Sequence, residues 1–204
     1  MSDELPLFPL GLVALPSELV PLHVFEPRYR TMIGECLEAE SEFGIVWLGE
    51  DGLKDSGCAC EVAQVLERMP DGRMNIVCRG TRPFRLVERL EDRPYPAGRV
   101  EWVEDKAEAP DEATLEAARE AYNELVEQAT DEPADAERLA TMTAYEMAAT
   151  VDFGLEAKQG LLELRSENAR LRLVTRLFRA AMKRLDLMER AQERARSNGK
   201  VRFG

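Results

Sequence analysis

The sequence predicts an α+β protein, in which a β-rich part at residues 1–104 precedes a helical bundle at residues 111–204 that ends on a long helix. Up to residue 104, short apolar runs are separated by proline, glycine and aspartate, a pattern typical of strands and turns. After residue 111, alanine, glutamate and leucine dominate, which indicates amphipathic helices. Between the two parts, the charged stretch Glu104–Asp111 indicates a linker.

The β-rich part contains a series of candidate strands and one helix. The strands are expected at Leu5–Leu10, Phe43–Leu48, Cys60–Met69, Arg73–Arg79, Thr81–Leu90 and Gly98–Val103. Asp71-Gly72 separates two of these runs and predicts a hairpin. A helix is expected at Glu26–Glu40, because Pro27 suits the first helical position and Tyr29 and Ile33 lie one turn apart on one face.

The helical part ends on an amphipathic helix that begins near Ser166, which can cap it. Earlier helices are expected at Asp111–Thr130, Ala136–Thr150 and Leu155–Leu164, and fraying is expected at Ser197–Gly204. A heptad seam is formed by Leu171, Val174, Phe178, Ala181, Leu185 and Met188. Its first half is expected to pack on the alanine-rich helices. Its second half, with Leu187, is expected to support a weak homodimer.

The net charge is −12, which argues against general binding of nucleic acid or anionic membranes, because Lys and Arg carry phosphate binding. The charge is uneven: residues 105–164 carry 4 basic and 16 acidic side chains, and residues 165–204 carry 12 basic and 4 acidic ones. The first residues are acidic, and no apolar run approaches about 18 residues. We therefore expect a cytoplasmic protein that keeps its cysteines reduced.

No catalytic constellation is evident in the sequence. His23 is the only histidine, and within its apolar run we interpret it as partly buried with one hydrogen bond, not as part of a Ser-His-Asp triad. No serine has a Gly-x-Ser-x-Gly setting, and no Gly-x-x-x-x-Gly-Lys-Ser/Thr phosphate loop is present. The sequence therefore predicts a protein that is not an enzyme and needs no cofactor.

The four cysteines are candidate metal ligands. Cys58 and Cys60 would share one face of a strand. A structural zinc site commonly uses four ligands, which here would have to include the isolated Cys36 and Cys78. We interpret all four as small buried apolar side chains and predict no metal site.

The most specific motif is the opening run. Leu5-Pro-Leu-Phe-Pro-Leu10 is followed by Leu15-Pro16 and by Pro21-Leu-His-Val-Phe-Glu-Pro-Arg-Tyr-Arg30. This series closely resembles the N-terminal signature of Lon proteases. Further segments similar to that family are Phe43–Val46, Gly57–Val62, Asp71–Arg73, Arg82–Phe84, Pro94–Tyr95, Lys158-Gln159 and Leu161–Leu164, so the resemblance covers nearly the whole chain.

The resemblance implies a β-rich pseudo-barrel of the PUA-like type, followed by a helical bundle. In full-length Lon proteases, an ATPase and a Ser-Lys peptidase follow this substrate-binding domain, whereas this sequence stops after the long helix. The resemblance therefore implies a stand-alone, non-catalytic module that binds polypeptide clients, or an adaptor whose partner is a protease or chaperone.

Polypeptide binding would use exposed apolar surface, because a module that meets many sequences gains most from non-directional burial. The candidate side chains are Leu12, Val13, Leu15 and Pro16 in one strongly apolar loop, and Met69 and Met74 around the hairpin. The alternative is that these residues pack on the helical part.

Two other functions stay open. PUA-like barrels are used for RNA elsewhere, and positive charge would come from Arg79, Arg82, Arg85 and Arg89, although an acidic chain without evident exposed aromatic platforms argues against RNA. A small hydrolase would need a pocket that joins His23 to a carboxylate and to a thiol or hydroxyl group.

Overall fold

The computed structural model describes residues 3–198, without the side chains of residues 192, 193 and 195–198; residues 199–204 of the tail lie outside the described residues. The described chain forms six strands and six helices. The strands are β1 (Asp3–Leu10), β2 (Leu19–Val24), β3 (Phe43–Gly49), β4 (Gly52–Arg68), β5 (Met74–Leu90) and β6 (Ala97–Trp102). The helices are α1 (Pro27–Ala39), α2 (Glu112–Thr130), α3 (Ala136–Leu139), α4 (Ala144–Ala148), α5 (Leu155–Glu163) and α6 (Glu167–Asn198).

Five of the strands close into a barrel. The sheet order is β2-β5-β4-β3-β1-β6, and β6 also pairs with the second half of β5, where Phe84 lies opposite Trp102. The β1–β3 pair is parallel, with Leu7 opposite Gly44, whereas the other pairs are antiparallel. This closure confirms the α+β class and gives the barrel that the family resemblance implies.

The barrel interior is narrow and is filled around Phe84. A Cβ atom at Gly44 would lie 2.6 Å from the Phe84 ring, and one at Gly57 would lie 2.7 Å from it. Two strands therefore approach the ring closely because they carry glycine at these positions. The remaining interior is apolar and consists of Leu5, Leu7, Val46, Ala59, Leu86 and Val100.

A second, larger apolar cluster joins the barrel to the helices. It includes Phe8, which stacks on Tyr29 of α1 with 4.2 Å between ring centroids, and it reaches Tyr122 and Phe178 in the helical part. The strands between the two clusters are therefore buried on both faces, which explains why β3 is a continuous apolar run instead of an alternating one. The division at residues 104 and 111 stays an interpretation of the sequence, and both parts contribute to one core.

Beyond the barrel, three strand segments form a lobe. It consists of β2, the first half of β5 (Met74–Arg79) and the second half of β4 (Glu61–Arg68). The sequence predicts two separate strands where β5 is continuous through Gly80, and it places the start of β4 eight residues later than the observed Gly52. It also misses β2, because Pro21 argues against a strand that pairs on both edges.

The helical part follows the expected order with one difference. The predicted helix at Ala136–Thr150 is divided into α3 and α4, because Thr143 and Glu146 form a capping box that restarts the chain as a new helix. Ser166 caps α6 as predicted, since its Oγ accepts a hydrogen bond from the Ala169 N–H (3.2 Å). Within the part of the chain that the structure describes, no helix is long and apolar enough to cross a membrane.

The first half of the α6 seam is confirmed as a packing surface. Leu171, Val174 and Phe178 are fully buried, and α6 packs along α2. Ala181 and Leu185 are half-buried against the same cluster, whereas Met188 is exposed.

Candidate polypeptide-binding surface

The loop at residues 11–18, where the sequence predicts a binding surface, is folded into the core. Val13 and Leu15 are 4% and 0% exposed, and Pro16 is also buried. Leu12 is half-buried and packs against the larger cluster. The structure therefore corrects this part of the prediction: three of the four side chains are closed to a client in this conformation, and only Leu12 is partly open.

A close backbone contact at Gly80 holds this loop in place. The Ser17 N–H donates to the Gly80 carbonyl (2.8 Å), and the Gly80 N–H donates to the Glu18 carbonyl (2.9 Å). A methyl group at position 80 would overlap the Leu15 carbonyl oxygen. Only glycine lets the two segments approach this closely, so the apolar composition of the loop reflects packing.

Glu18 then connects the loop to the helical part. Its carboxylate accepts a hydrogen bond from the Leu15 N–H (2.9 Å) and pairs with the Lys158 ammonium group of α5, and the two side chains are 13% and 14% exposed. Next to Lys158, the Gln159 amide donates to the Ser56 carbonyl of β4 (3.2 Å). The Lys158-Gln159 pair that resembles the Lon family thus fixes α5 against the loop and the barrel.

The methionines at the hairpin are also poorly placed for a client. Met74 is buried in the larger cluster, and Met69 is half-buried. The burial of Met74 follows from its position on the inward face of β5, where it alternates with the outward Asn75. Of the six predicted site residues, Met74 is therefore corrected to a core residue, and Met69 keeps partial exposure.

Large exposed apolar side chains occur elsewhere on the described surface. They are Leu19, Phe25, Leu48, Leu66, Val87, Leu187 and Met188. Three of them lie on the lobe or next to it: Leu19 in β2, Phe25 directly after β2, and Leu66 in β4. Phe25 is 57% exposed, which is a large apolar area for a single side chain to leave in water.

The strand register places alternate residues of β2 on one face of the lobe, and Leu66 reaches this face at a β-bulge between Val65, which lies opposite Ile76, and Glu67, which lies opposite Asn75. Pro21 lies opposite Val77, and His23 lies opposite Asn75, so alternate residues of β2 share the outward face. A groove of about 720 Å³ on the lobe is lined by Pro21, Leu22, His23, Leu66, Glu67, Asn75 and Ile76. We call the set Leu19, Pro21, His23, Phe25 and Leu66 the outer lobe face.

A chain of hydrogen bonds fixes the polar part of this face. The Asn75 amide nitrogen donates to Glu67 Oε2 (2.9 Å), which leaves Asn75 Oδ1 to accept from His23 Nδ1 at 2.6 Å. His23 stacks on Phe25 with 5.7 Å between ring centroids. His23 is exposed, so its predicted single hydrogen bond is confirmed but its predicted partial burial is wrong.

The free edge of β2 is the second feature of the outer lobe face. Among the described strands, β2 pairs with β5 alone. Because the Gly80 N–H bonds to the Glu18 carbonyl, alternation places the backbone groups of Leu19, Pro21 and His23 on the side away from β5. Proline lacks an N–H and is therefore tolerated at such an outward position.

The thiols contribute no reactive group to this face. All four cysteines are free and buried, which confirms the interpretation of these residues as small core side chains. A hydrogen bond with the Cys58 thiol, together with burial, raises the pKa of Cys60. A hydrogen bond with Cys60 and burial raise the pKa of Cys78, so both thiols stay protonated and are poor nucleophiles.

The two alternative functions gain little from the structure. The groove beside His23 contains the Glu67 carboxylate but is lined by no serine, threonine or cysteine, so the triad that a hydrolase needs is incomplete there. Arg79 pairs with Glu61 (3.9 Å), and Arg82 pairs with Glu42 (2.9 Å) while it covers the Trp102 ring. Half of the arginines considered for RNA are therefore balanced by carboxylates.

Comparison with known proteins adds the decisive observation. The family model described as the ATP-dependent protease La (LON) substrate-binding domain matches residues 4–180. The chain belongs to the LON substrate-binding domain family. Lon protease 2 of Myxococcus xanthus is 28% identical over 87% of this chain, but the chain spans only 24% of the length of that protein.

Two solved structures show the same fold as this LON domain. The Lon N-terminal domain protein from Xanthomonas campestris is 24% identical and covers 83% of this chain and 95% of its own, with a TM-score of 0.64. The N-terminal domain of Mycobacterium avium complex Lon protease is 19% identical and covers 86% of this chain and 98% of its own, with a TM-score of 0.65.

Proposed function

We propose that this LON domain is a non-catalytic module that binds extended segments of client polypeptides on the outer lobe face. The observation that carries the proposal is the exposure of Phe25 and Leu66 beside the free edge of β2. The family supports it, because the matching family model describes a substrate-binding domain. Delivery of the client to a protease or chaperone partner is the further part of the proposal.

The free edge suggests how one module accepts many sequences. An extended client segment can add to β2 as a further strand, through the outward N–H and C=O groups of Leu19 and His23 and the outward C=O of Pro21. Main-chain hydrogen bonds of this kind do not depend on the client sequence. Phe25 and Leu66 would then bury apolar client side chains, which adds affinity without strong selectivity.

Replacement of both apolar groups tests the proposal. We expect Phe25→Ser with Leu66→Ser to weaken binding to a reduced and alkylated unfolded protein by at least about tenfold, since each lost contact contributes about 1 kcal/mol. Fluorescence anisotropy of the labelled unfolded protein measures the dissociation constant. The thermal midpoint should stay close to that of the wild type, because both side chains are exposed.

Leu48→Ser with Val87→Ser is the matched control, since these side chains are similarly exposed but lie outside the outer lobe face. It should bind the unfolded protein as the wild type does. Equal loss of affinity in both double variants would show that general surface hydrophobicity drives binding, and unchanged affinity in the Phe25/Leu66 variant would remove the site.

A further inference from the structure

Helices α2 and α6 run parallel and side by side. At one end, Asn168 accepts a hydrogen bond from the Asp111 N–H (2.7 Å), and at the other end the Gln128 amide donates to Asp186 (2.6 Å). The two partners are 57 residues apart in the sequence at the first contact and 58 residues apart at the second. Each residue of α2 thus lies at the same height along the helix axes as the α6 residue about 57 positions later in the sequence.

The outward face of α2 is acidic. Its exposed side chains Glu112, Glu116, Glu120, Glu124 and Glu127 recur at steps of four and three. The buried residues Ala118, Ala121 and Leu125 occupy the opposite side of the helix. The acidic row therefore points away from the core along the whole of α2.

The outward face of α6 is basic. Its exposed side chains Arg172, Arg176, Arg179, Lys183 and Arg190 lie opposite the buried seam. Leu187, which is 65% exposed, continues this row one turn after Lys183. The basic row thus contains, between Lys183 and Arg190, an apolar side chain that the described part of this chain leaves in water.

The two rows do not neutralise each other within the chain. Among the described residues, none of the ion pairs within 4 Å joins a side chain of one row to a side chain of the other. A groove of about 720 Å³ lies on this face, lined by Ala113 and Ala117 of α2, by Arg172 and Arg176 of α6, and by Gly160 and Leu164 at the end of α5. Small side chains therefore leave room for another surface between two oppositely charged ridges.

We propose that a second copy of this chain covers this face, with the acidic row of each copy on the basic row of the other. A two-fold axis parallel to the helices places α2 opposite α6 of the second copy, and the same pairing then occurs twice. A two-fold axis that lies in the plane of the interface and perpendicular to the helices would place α2 opposite α2 and α6 opposite α6. Repulsion between like charges excludes that arrangement. In the favoured arrangement Glu120 faces the pair Arg176 and Arg179, and Leu187 reaches the end of the second copy's α2.

The size and chemistry of the face set the strength of the dimer. A helix of 19 residues is about 28 Å long, and two adjacent helices are about 20 Å wide. The buried area is then about 1,100 Å² in total, at the lower limit for a specific interface. Because most of the contacts are exposed ion pairs, the dimer is weak and dissociates as salt is added.

This arrangement changes the prediction of a homodimer through the second half of the α6 seam. Leu185 of that seam packs against the shared core. The substitution Leu185→Glu would therefore destabilise the bundle itself. The charged rows and Leu187 on the outward side of α6 replace the seam as the surface offered to the second copy.

Charge exchange between the rows tests the proposal. Arg176→Glu with Arg179→Glu, and separately Glu116→Arg with Glu120→Arg, should each abolish self-association in sedimentation velocity runs at up to about 300 µM protein and low salt. An equimolar mixture of the two variants should again form dimers, because each acidic α6 then faces a basic α2 of the other variant. The wild-type dissociation constant should rise at least about tenfold when the salt is raised from about 0.05 M to about 0.5 M.

Arg68→Glu with Arg85→Glu is the control: it changes the net charge by the same amount as Arg176→Glu with Arg179→Glu, but on the β-rich part. This variant should associate as the wild type does. A wild-type protein that stays monomeric at low salt would overturn the proposal. Dimers that persist in both row variants would place the interface elsewhere, and a mixture that stays monomeric would show that the rows do not face each other.

Discussion

At the scale of single residues, two apolar segments of similar composition differ in whether their side chains are buried or exposed. The loop around Leu15 and the segment around Phe25 are both apolar stretches that contain proline, and neither pattern alone tells whether the side chains are covered. Leu15 is buried because glycine at position 80 admits its backbone, whereas Phe25 follows an edge strand and stays exposed. The decisive partner of each residue lies far away in the sequence.

Gly80 is the residue where this difference can be measured. We expect Gly80→Ala to lower the free energy of unfolding by about 3 kcal/mol, because the added methyl group overlaps the Leu15 carbonyl and displaces the loop. Gly34→Ala is the matched control. Nothing lies within 4 Å of its added Cβ, and alanine within helix α1 should raise stability by about 0.5–1 kcal/mol. Urea titration followed by circular dichroism measures both, and equal stability of the two variants would contradict the packing argument.

At the scale of secondary-structure elements, β2 is the element most closely tied to the proposed function. Its inward residues Val20 and Val24 anchor it to the core, and Pro21 marks its outward edge. In the sequence, Val20, Leu22 and Val24 recur at every second position, which is a signal of a strand with one buried face. It was obscured because a proline argues against a strand with two partners but not against a strand with one.

The edge of β2 yields a test that separates backbone from side-chain effects. His23→Pro and His23→Ala both remove the imidazole, but only proline also removes the outward N–H. If clients add to this edge as a strand, His23→Pro should bind an unfolded polypeptide roughly fivefold more weakly than His23→Ala, the value of about one hydrogen bond. Isothermal titration calorimetry on both variants gives the comparison, and equal affinities would argue that the edge is not used.

At the scale of the whole molecule, one apolar cluster connects the barrel with the bundle, and Tyr145 shows how the helices around it are joined. The hydroxyl of Tyr145 in α4 donates to the Leu161 carbonyl of α5 (3.1 Å), and the guanidinium of Arg170 in α6 lies 4.4 Å from its ring centroid. Burial raises the pKa of Tyr145 to about 12. Ionisation of this group is therefore resisted by the folded protein.

The raised pKa of Tyr145 predicts how stability depends on alkaline pH. Between its ordinary value of 10 and about 12, the unfolded chain loses the phenolic proton while the folded protein retains it. The folded state then binds more protons, so stability decreases as the pH rises through this window, by about 2 kcal/mol in total. Tyr145→Phe should be less stable than the wild type at neutral pH by about 1 kcal/mol. Between pH 10 and 12, however, its free energy of unfolding should decrease less than that of the wild type. Urea titrations at each pH measure both differences. Parallel losses in both proteins would contradict the assignment.

The sequence by itself determined the α+β class, most element positions, the buried cysteines, the capping of α6 and, through its opening motif, the family. These features depend on local periodicity and on residues that are close together in the chain. Tertiary structure alone decided that residues 13–16 are core, that β5 continues through Gly80, and that Phe25 and Leu66 share one exposed face. The physical reason is that exposure and strand pairing depend on contacts between residues distant in sequence, such as Gly80 with Leu15 and β2 with β5, and no local pattern records them.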